Sequence, residues 1–170
     1  FPTRRSSDLS GDLILLEHQD RSLWNQAQIA EALPLVESAL RANPGPYALQ
    51  TAIAALHCQA PTPEATDWPQ ILALYTLLEQ VAPSPIVSLN RAAALAMAHS
   101  PQAGLAAIDE IAQGGELDSY HLLHAARADL YRRLNDLPAA AIHYKKALNL
   151  ATNDGERRFL ARRLKETQQN

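Results

Sequence analysis

The stretch from Ala128 to Ala147, ADLYRRLNDLPAAAIHYKKA, decides the fold. Apolar residues recur at helical spacing on both sides of a polar break at residues 134–136. Two antiparallel helices approach closely only at small residues, while larger side chains fill the groove beside them. The stretch has this arrangement, with small and aromatic residues at Ala128 and Tyr131 before the break and at Ala140, Tyr144 and Ala147 after it. It therefore predicts a helical hairpin.

This pattern resembles the tetratricopeptide repeat, and its second half recurs along the chain. The middle positions of the four copies are Val36, Tyr75, Ile108 and Tyr144, separated by 39, 33 and 36 residues. The first three copies keep the register but lack the aromatic signature. We predict an all-α, right-handed, tetratricopeptide-like array of antiparallel helical hairpins, with residues 154–167 as the polar capping helix. We expect Ala128 and Ala147 at helix contacts and Tyr131 and Tyr144 buried.

Composition supports this fold class. Alanine and leucine make up 58 of the 170 residues and aromatic residues only 5%, which favours helices and leaves little material for strands. The predicted helices occupy residues 25–42, 46–59, 68–81, 85–98, 101–113, 118–134, 138–151 and 154–167. Asp67, Ser84 and Ser100 are predicted N-caps. Pro34 should kink the first helix or mark its first turn, and residues 13–16 should pack on that helix as part of a linker.

Charge and cysteine content exclude several function classes. With 15 Lys and Arg against 18 Asp and Glu, the net charge is -3, so we expect no direct DNA binding and no membrane association. The single cysteine, Cys58, has no partner for an internal disulfide or a thiolate metal cluster. The expected location is the reducing cytoplasm.

Few residues could support catalysis or metal binding. His121 and His124 lie one helical turn apart, but the sequence has no third ligand in a recognised metal motif. Interior histidines with hydrogen-bond partners are the simpler interpretation. Cys58 lacks a flanking cationic pair and should be an inert buried thiol. We expect no enzyme activity, no catalytic residues, no metal and no cofactor.

Polar residues inside apolar helices are the candidate protein-interaction positions, and they include His121, His124 and Asp129. Asn90 and Arg91 interrupt the apolar helix predicted over 85–98, and Gln50 has a comparable place in the helix predicted over 46–59. In tetratricopeptide-like arrays the first helix of each hairpin lines the groove, so these side chains could contact a ligand. Alternatively, Arg91 pairs with Asp129 or Asp109 of a neighbouring hairpin and joins the repeats. In both cases we expect Arg91 at the inner surface, close to Asp129 or Tyr120.

The last helix combines apolar residues with five cations. Arg158 and Arg162 are the candidate partner-binding residues on it. The alternative is that its basic surface only keeps the end of the array soluble, as a terminal repeat requires.

Six strings in order resemble the C-terminal extension of a group of bacterial extracytoplasmic-function RNA polymerase sigma factors. They are GDLILLEHQDRSLWN, GPYALQTAIAALH, TDWPQILALYTLL, APSPIVSLNRAAALA, YHLLHAARADLYRRL and ERRFLARRL. In that group, sigma regions two and four precede a tetratricopeptide-like domain. Residues 1–9, FPTRRSSDL, instead resemble a translated sequencing adapter and are interpreted as non-native.

The resemblance implies a domain organisation and a function. Residues 10–24 would be the linker from sigma regions two and four, absent here, and residues 25–167 the helical domain. The implied function is regulation or assembly in promoter-specific transcription initiation. The implied partners are the two sigma regions of the same full-length chain, together with core RNA polymerase or a signalling protein. The alternative is a free-standing peptide-binding scaffold without a transcriptional role.

Overall fold

Eight α-helices follow one another in the computed structural model, which describes residues 13–42 and 44–169. They are α1 (Gln26–Ala42), α2 (Pro46–Gln59), α3 (Trp68–Val81), α4 (Pro85–Ala98), α5 (Pro101–Gln113), α6 (His121–Arg133), α7 (Leu137–Leu150) and α8 (Asp154–Gln168). No strand forms within the described ranges. The all-α prediction is confirmed, and each helix ends close to its expected position.

Local chemistry sets several helix starts. The side chain of Asp67 accepts a hydrogen bond from the Gln70 amide at 2.9 Å, as an N-cap does. Ser84 and Ser100 cap α4 and α5 in the same way, each followed by a proline at the first helical position. Proline fits there because its missing N–H would have no helical partner. These three predicted caps are confirmed.

Pro34 lies inside α1, so of its two predicted alternatives the first-turn position is excluded. One expectation about a helix start is wrong. The sixth helix begins at His121, three residues later than expected. Gly115 adopts a φ of 73° and Tyr120 is extended, so the chain turns before the helix starts. The carbonyl oxygen of Asp118 lies 2.9 Å from Nε2 of His124, which ties this turn to α6.

The helices stack in sequence order. Each packs against its neighbours along the chain, and α4 also contacts α6. The hairpins are therefore α2–α3, α4–α5 and α6–α7, with α1 and α8 at the two ends. The even-numbered helices α2, α4 and α6 are the first helices of successive hairpins.

Small residues lie where helices meet most closely. Ala128, Ala140 and Ala147 are fully buried, and the Tyr144 ring fills the space beside them at 2% exposure. These positions match the predicted hairpin contacts. Tyr131 corrects the prediction, because it is only half-buried. Its ring stacks on the His143 imidazole at 5.4 Å.

Charged side chains join consecutive hairpins. Glu79 of α3 pairs with Arg91 of α4 at 2.7 Å, and Asp109 of α5 pairs with Arg127 of α6. Each pair links the second helix of one hairpin to the first helix of the next hairpin. The repeats are thus connected by specific partners as well as by apolar packing.

The N-terminal segment, residues 13–24, contains two short 3-10 turns, Leu16–His18 and Arg21–Leu23. Trp24 at its end is buried. Residues 1–12 lie outside the described residues, and the adapter interpretation and the start of the expected linker fall there. Over the described part of the chain, no helix is both long and apolar enough to cross a membrane.

Candidate binding cleft

The even-numbered helices supply most of the helical residues that line one cleft. Its volume is about 330 Å³. The helices contribute His57 from α2, Met97 from α4, Asp129 and Arg133 from α6, and Phe159 from α8. We call this space the even-helix cleft. Trp68 of α3 and Tyr144 of α7 also line it, so the first helices of the hairpins contribute to the lining but do not form it alone.

The N-terminal segment forms another wall of the even-helix cleft, through Leu15, Leu16, Glu17 and Arg21. The expected packing of residues 13–16 against the first helix therefore needs correction, because Leu15 and Leu16 line a cleft built from later helices. Four consecutive aliphatic residues, 13–16, are all half-buried. The segment thus covers apolar surface that the helices alone would leave open.

Arg21 anchors this segment to the end of α2. Its guanidinium donates to the carbonyl oxygen of His57 at 3.0 Å and to that of Ala60. These carbonyls lie at the C-terminal end of α2, where the helix has no backbone donors left for them. The same guanidinium lies 5.2 Å from the ring centroid of Trp24. The Nε atom of Arg21 is enclosed and has no hydrogen-bond partner.

Asp129 is held by two arginines of its own helix. Arg132 donates to its Oδ1 and Arg133 to its Oδ2, each at 2.6 Å. Burial raises the pKa of this carboxyl, but the two guanidiniums outweigh that effect and the pKa is lowered. Asp129 therefore enters the cleft as a carboxylate whose two oxygens already have donors.

Arg91 has a different ion-pair partner from those predicted. Its Nε is 2.7 Å from the Glu79 carboxylate, and Ser88 donates to the other oxygen of that carboxylate. Neither predicted acid is its partner, since Asp109 and Asp129 are paired with other arginines. Of the two alternatives for Arg91, this ion pair corresponds to the one in which it joins neighbouring repeats, but the acid that it pairs with is Glu79 of α3.

Asn90 and Gln50 are both exposed. Gln50 borders a second, shallow depression of about 400 Å³ beside Tyr47 and Thr51. Neither residue lines the even-helix cleft. The structure thus separates the three polar candidates and does not bring them into one site.

His124 is buried, and its Nε2 is within hydrogen-bond distance of the Asp118 carbonyl. Its ring stacks on that of His143 at 6.3 Å. His121 faces another way, with its Nε2 3.1 Å from the Glu156 carboxylate of α8. The two candidate histidines therefore have separate partners. No group of three or more His, Cys, Asp or Glu side chains among the described residues is arranged to hold a metal ion.

On α8, Arg158 and Arg162 are both exposed. The guanidinium of Arg162 lies 5.8 Å from the Phe159 ring centroid. Arg157 instead donates to the carbonyls of Leu148 and Ala151, so it fastens α8 to the end of α7. Cys58 is half-buried, where an interior position was expected, and burial raises the pKa of its thiol.

Sequence reasoning missed the residues that build the cleft walls, above all Trp68, Met97 and Phe159. Met97 lies two helical turns after Asn90, so helical periodicity could have extended the candidate face to it. Trp68 and Phe159 carry no comparable signal, because their approach depends on how distant helices stack.

Comparisons with known proteins found one relative of note. The chain is 41% identical over 162 residues to an uncharacterised protein of Rhizobium meliloti (strain 1021). The match covers 95% of this chain but only 38% of that protein. No family model matches the chain, and no solved structure matches it.

Proposed function

We propose that the chain is the C-terminal helical domain of a bacterial extracytoplasmic-function RNA polymerase sigma factor and acts by protein–protein contact. The six ordered strings that resemble this group support the assignment. The relative from Rhizobium meliloti is compatible with it, because most of that protein lies outside the segment similar to this chain. That remaining part of the relative is long enough to contain further domains.

One observation about the array carries the protein-contact part of the proposal. Tyr47, Ile86 and Leu122 are each the second residue of an even-numbered helix, and their exposed fractions are 84%, 47% and 42%. We call these three residues the apolar row. Three large apolar side chains left open at equivalent positions of successive repeats are typical of a protein-binding surface.

On α4 and α6, the residue of the apolar row and a residue of the even-helix cleft lie on the same side of the helix. Met97 follows Ile86 by 11 residues and Arg133 follows Leu122 by 11, which is close to three full helical turns. One side of the array therefore offers an apolar edge and a cleft. In the proposed role, this side contacts sigma regions two and four, core RNA polymerase or a signalling protein.

The first test uses the full-length Rhizobium meliloti relative. We expect it to co-purify with core RNA polymerase and to initiate transcription from a subset of promoters. Removal of the segment similar to this chain should change the amount of transcript. A relative that neither binds core polymerase nor carries sigma regions two and four would contradict the assignment.

The second test examines the apolar row. Binding of this chain to core polymerase, or to the remaining part of the relative, is measured by calorimetry. The double variant Tyr47→Ser, Ile86→Ser should weaken binding about tenfold or more, since aromatic and aliphatic anchors dominate such interfaces. Ile142→Ser is the matched control, because Ile142 is 68% exposed but lies on α7.

The free-standing peptide-binding scaffold remains the second candidate, and the same apolar row favours it. It predicts that the row binds an apolar peptide while the chain shows no affinity for core polymerase or sigma regions. The two measurements above therefore separate the candidates.

A further inference from the structure

The even-helix cleft has the size and lining of a small-molecule site. Its volume of about 330 Å³ lies at the lower end of the range for ligand pockets, roughly 300–1,000 Å³. Trp68, Met97, Tyr144 and Phe159 supply aromatic and thioether surface, and Leu15 and Leu16 supply aliphatic surface. An apolar molecule of modest size would bury most of its surface there.

The charged groups that line the cleft differ in whether they have a partner of opposite charge. Both oxygens of Asp129 already accept from arginines of α6. Arg21, by contrast, donates only to two neutral carbonyl oxygens, and no ion pair joins it to a carboxylate within residues 13–42 and 44–169. Its enclosed Nε has no acceptor. Glu17 also lines the cleft, but it is exposed and hydrated by solvent, whereas Arg21 is half-buried. The half-buried charge without an oppositely charged partner is therefore a cation, and its complement is an anionic acceptor.

We propose that the even-helix cleft binds an amphipathic organic acid, with the apolar body between the aromatic walls and the carboxylate against Arg21. A carboxylate there supplies the charged acceptor that the Arg21 guanidinium lacks and forms a charge-assisted hydrogen bond, which is about twice as strong as a neutral one. Because Arg21 belongs to the N-terminal segment, the ligand contacts that segment and the helices together. This inference does not depend on a role in transcription.

Calorimetry on the purified chain tests the proposal with two acids and their uncharged counterparts. Octanoate and octanol represent an aliphatic body, and naphthylacetate and naphthylethanol an aromatic one. We expect at least one acid to bind saturably and about tenfold more tightly than its alcohol, a difference that corresponds to about 1.4 kcal/mol. The pair that binds better identifies whether the natural ligand is aliphatic or aromatic.

Two variants locate the site. Ala125→Phe places a ring in the cleft, because Ala125 lines it, and should abolish binding of the acid. Ala106→Phe adds the same ring at an exposed position of α5 and should leave binding unchanged. Arg21→Gln should reduce the preference for the acid over the alcohol to near equality.

Several results would overturn the proposal. These are no saturable binding of either acid by the unmodified chain, equal affinity for acid and alcohol, or full binding by Ala125→Phe. Retention of the acid preference by Arg21→Gln would also overturn it. None of these outcomes bears on core polymerase, so failure here is distinguishable from failure of the proposed function.

Discussion

His143 lies between two flat rings, those of Tyr131 and His124, at the contact of α6 and α7. Burial lowers the pKa of His143, and the positive charge of Arg127 lowers it further. Burial also lowers the pKa of His124, and the cations Lys146 and Arg127 act in the same direction against the Asp118 carbonyl, which raises it. Both imidazoles are therefore harder to protonate in the folded chain than in the unfolded one.

These two histidines make stability depend on pH. Below the unfolded value of about 6.5, the unfolded chain binds protons that the folded chain does not, so unfolding becomes easier. We expect the free energy of unfolding to fall as the pH drops from about 7.5 to 5.5, measured by urea titration.

His143→Phe should flatten this pH dependence, since phenylalanine keeps a flat ring in place but binds no proton. His99→Phe is the control because His99 is exposed, and it should keep the slope of the unmodified chain. An unchanged slope in His143→Phe would show that His143 does not contribute.

At the scale of the element, α4 and α5 approach each other closely at Gly104. A methyl group added there would overlap Cβ of Ala96 and lie 2.9 Å from the carbonyl oxygen of Ala92. Alanine gains about 1 kcal/mol over glycine in helix propensity, whereas overpacking costs about 1–3 kcal/mol. The cost of the overlap outweighs the gain in helix propensity, because the atoms that the added methyl group would meet include backbone atoms.

We therefore expect Gly104→Ala to lower the free energy of unfolding by about 1–2 kcal/mol, and the melting temperature by several degrees. Gly114→Ala is the matched control at the end of the same helix, where the nearest atom would be 3.4 Å away and φ is negative. It should leave stability unchanged or raise it. A stabilising Gly104→Ala would show that α4 and α5 separate at little cost.

The helices could be predicted because their signals are local. Asp67, Ser84 and Ser100 each cap a helix a few residues away, so short-range sequence determines where α3, α4 and α5 begin. The partner of Arg91 was not predicted, because three acids were available and the crossing of α3 over α4 selects Glu79. The cleft was missed for the same reason, since Leu15 and Phe159 meet only through the stacking of the whole array.

At the scale of the whole molecule, the two ends of the array are unequal. In a stacked array each helix is supported only by its neighbours, so terminal helices open first. α1 has one buried residue, Val36, and carries Pro34 in its interior, which removes a backbone hydrogen bond. α8 buries Leu160 and Thr167 and is fastened to α7 by Arg157.

We expect hydrogen exchange to follow this asymmetry, with amides of α1 exchanging fastest, those of α8 more slowly, and those of α6 and α7 slowest. α6 and α7 share a core around Ala128, Ala140 and Tyr144, which are almost completely buried. Mass spectrometry of peptic fragments measures the order of exchange under native conditions.

Two variants test the same description. Val36→Ala should accelerate exchange in α1 alone, because the lost packing is confined to one end, whereas Leu160→Ala should accelerate exchange in α8 and α7 together. Equal protection of α1 and α7 would mean that the array opens as one cooperative unit and would contradict the nearest-neighbour description.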